Sequence, residues 1–249
     1  KYFLAAALLS LLSLSVPAVA ADASGERTTA PAADTATLRV KVMVDGKVPE
    51  PGKIDSSRDA FCAPFMLKYD RLIVGKNGEL KNLAMILDTR RTKIDLPETK
   101  VPDVKLELDN KDCMFEPHVL VVRAGQTVTV LNSDQTGHNA NFSFFNNDPV
   151  NVLIPVGGKK DVTIEKDERA PIPVDCNIHP WMKSYVIVNE HPFVGVTDEN
   201  GVLEIQGLPV GEITFKVWHE SADGALEGEA IINGKKEKWK RGSLEVTLK

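Results

Sequence analysis

"HVLVVRAGQTVTVLNSD", residues 118–134, decides the fold class. Apolar and polar residues alternate in short runs, and turn residues punctuate them. A period of two sends successive side chains to opposite faces of an extended chain, which is the signature of a half-buried strand. The same pattern recurs in both directions from this stretch. It is seen in "TLRVKVMV" (37–44), "NLAMILD" (82–88), "DVTIEK" (161–166) and "SYVIV" (184–188). It returns in "VLEI" (202–205), "ITFKVWHE" (213–220) and "SLEVTLK" (243–249). Helical periodicity is almost absent. Asp45-Gly46, Asn77-Gly78, Asn200-Gly201 and Asn233-Gly234 supply the positive-φ positions that tight hairpins require. Many short strands at this spacing predict an all-β chain built from antiparallel sandwiches.

Lys1, a run of leucine, alanine and serine to Pro17, and Ala18-Val19-Ala20 read as a secretory signal peptide over 1–20. Residues 21–36, "ADASGERTTAPAADTA", read as a flexible leader. The rest of the chain is long enough for one large or two small domains with real cores. A second stretch able to span a bilayer is not found, so no membrane span is expected after signal cleavage, and the expected location is the periplasm or outside the cell. The formal net charge of −5 argues against a general nucleic-acid binder.

The chain has three cysteines, which cannot all pair with one another. Thiols in an oxidising compartment are normally tied up as disulfides. Cys62, in "DAFCAPF", and Cys113, in "NKDCMFEP", have no histidine at ligand spacing and form the natural pair. Closing that loop contributes about 4 kcal/mol by the chain-entropy relation. Cys176 is then the odd one.

Cys176 opens "CNIHPWM" (176–182), in which Cys176, His179 and Met182 make a C-x2-H-x2-M motif. So short a spacing suits ligands delivered from one tight loop at the open end of a sandwich. A thiolate, imidazoles and a weak thioether suit a copper ion that cycles between Cu(I) and Cu(II). Zinc competes for a His2Cys site, but a thioether is a poor zinc ligand, and Met182 favours copper. The further ligand must come from elsewhere, and His138 in "QTGHNANF" is the candidate.

Residues 104–190 resemble a cupredoxin, the type 1 blue-copper Greek-key sandwich. The segment "MFEPHVLVVRAGQTVTVLNSDQTGHN" (114–139) matches that family's F-x-P, strand, Gly turn, strand and ligand histidine, and "CNIHPWM" resembles an amicyanin- or plastocyanin-like ligand loop. The resemblance implies one copper per chain, with His138, Cys176 and His179 equatorial and Met182 axial. It implies that Asn139 hydrogen-bonds to the ligand loop, and that Gly137, as in azurin, offers a weak carbonyl donor. His179, with Pro180 and Trp181 beside it, is expected to reach the surface through an apolar patch as the electron exit. A second resemblance, to a transthyretin-like or carboxypeptidase-regulatory-like β-module, is carried by "FVGVTDENGVLEIQGLPVGEITFKVWHE" (193–220) and "RVKVMVDGKVPEP" (39–51). It implies that an N-terminal segment (37–103) packs with a C-terminal one (191–249) around the cupredoxin. A single cupredoxin with extra edge strands is the alternative.

The function expected from these readings is one-electron transfer between redox partner proteins, without catalysis. Copper delivery, or a structural β-module of an envelope complex with a stabilising metal, are the rivals. Multicopper oxidase and nitrite reductase signatures (His-x-His, His-Cys-His) are lacking. His118, His191 and His219 read as strand-end or surface histidines, with a second site at His191 and His219 as the lesser reading.

Overall fold

The computed structural model describes residues 7–8, 35–222, 228–232, 235–239 and 241–249. The predicted signal peptide and leader lie outside the described residues except for Ala7, Leu8, Thr35 and Ala36, as does the Asn233-Gly234 turn. The strands are β1 (Ala7–Leu8), β2 (Thr35–Lys41), β3 (Ala84–Leu87), β4 (Leu106–Lys111), β5 (Met114–Glu116) and β6 (Val119–Arg123). They continue as β7 (Gln126–Asn132), β8 (His138–Phe142), β9 (Val150–Ile154), β10 (Lys159–Ile164), β11 (Ile172–Asp175) and β12 (Lys183–Asn189). The last are β13 (Val194–Val196), β14 (Val202–Pro209), β15 (Gly211–Trp218), β16 (Gly228–Ile232), β17 (Lys235–Trp239) and β18 (Ser243–Leu248). The only helices among the described residues are two short 3-10 turns, so the chain is all-β as the alternation predicts. Gly46, Gly78 and Gly201 take φ values of 101°, 99° and 69° at three of the predicted turns.

The chain divides into two compact units. The first joins the chain up to Val48 to Val74–Pro97 and Phe193–Lys249. Its four-stranded sheet runs β13-β3-β15-β18, and β14 pairs antiparallel with β2, Val202 opposite Lys41. Gly195 on β13 shows how closely the two sheets face one another. A Cβ there would lie 2.9 Å from Ile205 and 3.0 Å from Leu203 of β14. The remaining sheet is β1-β16-β17.

The second unit, Pro49–Ile73 with Glu98–Pro192, carries the predicted ligands. A four-stranded sheet, β10-β7-β4-β5, and a five-stranded sheet, β6-β12-β11-β8-β9, enclose one core. Leu108, Val128, Val130 and Ile164 enter it from the first, and Ala140, Phe142, Ile154, Val174 and Val186 from the second. Burying each large aliphatic or aromatic side chain stabilises the unit by about 1.5–3 kcal/mol. β4 runs parallel to β7 and β6 parallel to β12, while the other pairs are antiparallel. The turn between β6 and β7 is closed by Gln126, whose Oε1 accepts the Arg123 N–H at 2.8 Å, and Gly125 takes φ 92°.

Residues 49–73 group with this second unit, whereas the sequence places them in the N-terminal β segment. The Cys62–Cys113 disulfide, 51 residues apart in sequence, holds them there. That tertiary link overrides chain proximity.

Candidate metal centre

Two loops at one end of the second unit build the site. The first joins β7 to β8 and is closed by Asn132, which is buried. Its Nδ2 donates to the carbonyls of Thr136 (2.8 Å) and Ile154 (3.0 Å), and its Oδ1 accepts the Asp134 N–H at 3.0 Å. The loop thus hands His138 to the first position of β8. The second loop joins β11 to β12. Cys176 N donates to the Met182 carbonyl (3.2 Å) and Met182 N to that of His179 (2.9 Å), so seven residues close on themselves. Asn139 pins the two loops together. Its Oδ1 accepts the N–H groups of Asn177 (2.7 Å) and Ile178 (3.3 Å) and lies 3.5 Å from Cys176 Sγ. Its Nδ2 donates to Asn151 Oδ1 at 2.7 Å.

His138, Cys176 and His179 offer donor atoms that all lie within 4.8 Å of one another. Their exposures are 0%, 1% and 2%, and Met182, in the same loop, is 0% exposed. Cys176 Sγ lies 3.9 Å from His179 Nδ1 and accepts the His179 N–H at 3.4 Å. The two Nδ1 atoms are 2.9 Å apart. Two imidazoles on one ion at 120° stand roughly 3.5 Å apart, and a thiolate and an imidazole roughly 3.7 Å, from metal–ligand bonds of about 2.0 and 2.3 Å. The sulfur–nitrogen spacing fits a shared ion, and the nitrogen pair is hydrogen-bonded instead. Two imidazoles, a thiolate and a buried thioether are the donor set that suits copper.

The outer nitrogen of each imidazole meets a carboxylate. His138 Nε2 lies 2.9 Å from Asp134 Oδ2, and His179 Nε2 lies 3.0 Å from Asp59 Oδ2. Asp134 also accepts the N–H groups of Asp112 (2.7 Å) and Cys113 (2.9 Å). Asp59 accepts those of Phe61 (2.8 Å) and Cys62 (3.0 Å) and the Thr136 hydroxyl (2.8 Å). Partial burial pushes the Asp59 carboxyl up, but these donors outweigh it and hold it down at about 2. Burial likewise pushes the Cys176 thiol up. Hydrogen bonds with His138 and His179 and from backbone N–H groups overturn that and bring it down to about 6. For His179, burial opposes the charged form, yet Cys176 and Asp59 raise its pKa above the ordinary histidine value. A thiolate beside a His179 imidazole whose charged form is favoured is the resulting charge arrangement.

His179 does not reach the surface, contrary to the expectation for an electron exit. Asp59, on the disulfide-tethered segment, occupies the position over Nε2 that solvent would take. Pro180 is exposed, and Trp181 is half-buried with its Nε1 donating to the Cys113 carbonyl at 3.1 Å. The Trp181 and His179 rings are 5.1 Å apart. At Gly137 a Cβ would meet nothing within 4 Å, so space does not demand glycine. Asp59 and Asp134 escaped the sequence reading. Their one signal was an acid three residues before Cys62 and four before His138.

None of the metal-capable clusters among the described residues includes His118, His191 or His219. His118 Nδ1 lies 2.9 Å from Asp70 Oδ2 beside the Tyr185 ring. His219 Nε2 lies 3.2 Å from the Lys81 carbonyl, and its Nδ1 accepts the Ser221 N–H.

No family model matches the chain, and no curated protein does. Among solved structures it is similar to a single-residue mutant of amicyanin in the Cu(I) state. The identity is 22%, over 36% of this chain and 87% of that one, with a TM-score of 0.31. It is also similar to a purple cupredoxin from Nitrosopumilus maritimus, at 22% identity over 34% of this chain and all of that one, TM-score 0.29. A Cu-containing nitrite reductase from Thermus scotoductus SA-01 gives 20% identity over 43% of this chain and 27% of its own length, TM-score 0.33.

Proposed function

We propose that this is an exported type 1 copper protein, a cupredoxin flanked by a second β-unit, that carries one electron between redox partner proteins. The observation that supports it is the convergence of His138, Cys176 and His179, all buried, with donor atoms within 4.8 Å of one another, while Met182 is buried in the same loop. These four residues would hold the ion. Bound there, copper supplies a one-electron couple to which soft sulfur and imidazole donors suit both oxidation states. The chain's own contribution is to fix the donors. Asn139 locks the cysteine loop to β8, the outer carboxylates orient the imidazoles, and the core excludes water. The disulfide supports an oxidising compartment. No helix among the described residues is long and apolar enough to cross a membrane.

Burial favours a carrier over a delivery protein. Handing copper to a partner by ligand exchange calls for a reachable donor, and none of the three is more than 2% exposed. The test is a visible spectrum of the protein titrated with Cu(II), then with ascorbate. An intense blue thiolate-to-copper band, bleached by reductant, restored by oxidant and absent in Cys176→Ala, is the expected result. Weak d–d absorption alone refutes the reading.

A further inference from the structure

Asp59 reaches His179 across 120 residues of sequence, and its carboxylate is fully engaged. A carboxylate offers about four lone-pair sites. Phe61 N and Cys62 N occupy those of Oδ1, while the Thr136 hydroxyl and His179 Nε2 occupy those of Oδ2. The group is thus set before anything binds. It is also anchored, because the Cys62 N–H that it accepts belongs to one half of the disulfide. The other half, Cys113, donates its N–H to Asp134, which faces His138 in the same manner. One covalent bridge therefore sits behind both carboxylates, and each carboxylate holds one ligand histidine by its outer nitrogen.

We propose that Asp59, held by the Cys62–Cys113 bridge, is a positioning residue that clamps His179 through Nε2, keeps Nδ1 turned inward and closes the imidazole from solvent. This rests on the copper reading of the site. The clamp has two consequences for the bound ion. A carboxylate that accepts the outer N–H makes the imidazole a stronger donor, and its negative charge favours the higher oxidation state. Asp59 therefore lowers the copper potential. It also slows release, because His179 cannot swing outward to water while it is held.

The test compares the full-length copper-loaded protein with Asp59→Asn. The asparagine keeps an oxygen for the Phe61 and Cys62 N–H groups, but it turns its own N–H toward His179. Loss of an outer partner of a ligating histidine costs about 10–100-fold in metal affinity. If tenfold of that falls on Cu(II) over Cu(I), the midpoint potential rises by about 59 mV. The expected result is a retained blue band, a potential raised by about that amount, and Cu(I) removal by a chelator at least tenfold faster. An intact band with unchanged potential and unchanged removal rate overturns the clamp.

A second measurement on the wild-type chain covers a variant that fails to fold. In metal-free, nitrogen-15-labelled protein, the clamp requires a proton on His179 Nε2 that exchanges slowly with water. Fast exchange at that nitrogen overturns the clamp. Wild-type protein with no blue band sinks the copper reading instead, and the imidazole proton then decides the clamp by itself.

Discussion

Removing the disulfide, by Cys62→Ser with Cys113→Ser, acts on the second unit alone, because both half-cystines lie within it. The bridge spans 51 residues. The chain-entropy relation then gives roughly 14 cal/mol/K of lost loop freedom in the unfolded state, or about 4 kcal/mol at 25 °C. The native state loses something as well, since the Cys62 and Cys113 N–H groups that the two aspartates accept are no longer covalently joined. With m-values of about 1–3 kcal/mol/M in urea, the midpoint should fall by more than about 1 M. Two units unfold as two transitions in general, so the probe must be local. Trp181, half-buried beside Cys113, reports on the second unit. Trp218 on β15 lies in the first unit and serves as the internal reference, once the third tryptophan, Trp239, is replaced by phenylalanine. A shift in the Trp181 transition of less than about 1 kcal/mol, or an equal shift in both, refutes the reasoning.

Other outcomes rest on the same contacts. Asn139→Ala strips the acceptor from the Asn177 and Ile178 N–H groups and should cost about 1–3 kcal/mol, with a weakened blue band, read by urea unfolding and the visible spectrum. In metal-free protein, thiolate ultraviolet absorbance should appear with a midpoint near pH 6 and vanish in Cys176→Ser. The folded pKa is depressed, so the stability this thiolate contributes is complete above the ordinary value of 9.0. It is lost as pH falls to about 6, and the wild-type advantage over Cys176→Ser should shrink over that interval. Gly201→Ala should destabilise the first unit by at least 2 kcal/mol, because φ is 69° and the new Cβ would meet the Val42 carbonyl at 2.5 Å. The blue band of the second unit should be untouched, as a spectrum of the copper-loaded variant would show.

Alternation was enough to read β2, β3, β6, β7, β10, β12, β14, β15 and β18, because a sheet with one buried face writes its period into the sequence. Val128 and Val130 point into the core and Thr127 and Thr129 away from its centre, and that contrast is plain in "QTVTV". The candidate ligand loop was legible for another reason. Cys176, His179 and Met182 fall within seven residues, so their motif is visible without the fold. Asp59 was illegible because its partner lies 120 residues away, and an aspartate before a cysteine looks like any turn residue. The placement of 49–73 was hidden for the same reason, since a disulfide and a few hydrogen bonds leave no periodic trace. Likewise, a loop motif that delivers a histidine to the open end of a sandwich says nothing of what another segment lays over it.

The two units are not beads on a string. The chain passes from the first unit to the second at residue 49, returns at 74, leaves again at 98 and comes back at 193. Synthesis from the N-terminus therefore completes the second unit at Pro192, before any of β13–β18 exists. β2 and β3 emerge early, but β2 pairs with β14, and β3 with β13 and β15. Until the last quarter of the chain appears, these two strands carry unpaired edges, the feature that invites pairing between chains. A truncation just after Pro192 would hold every residue of the proposed copper centre and still leave those two strands with no partners of their own.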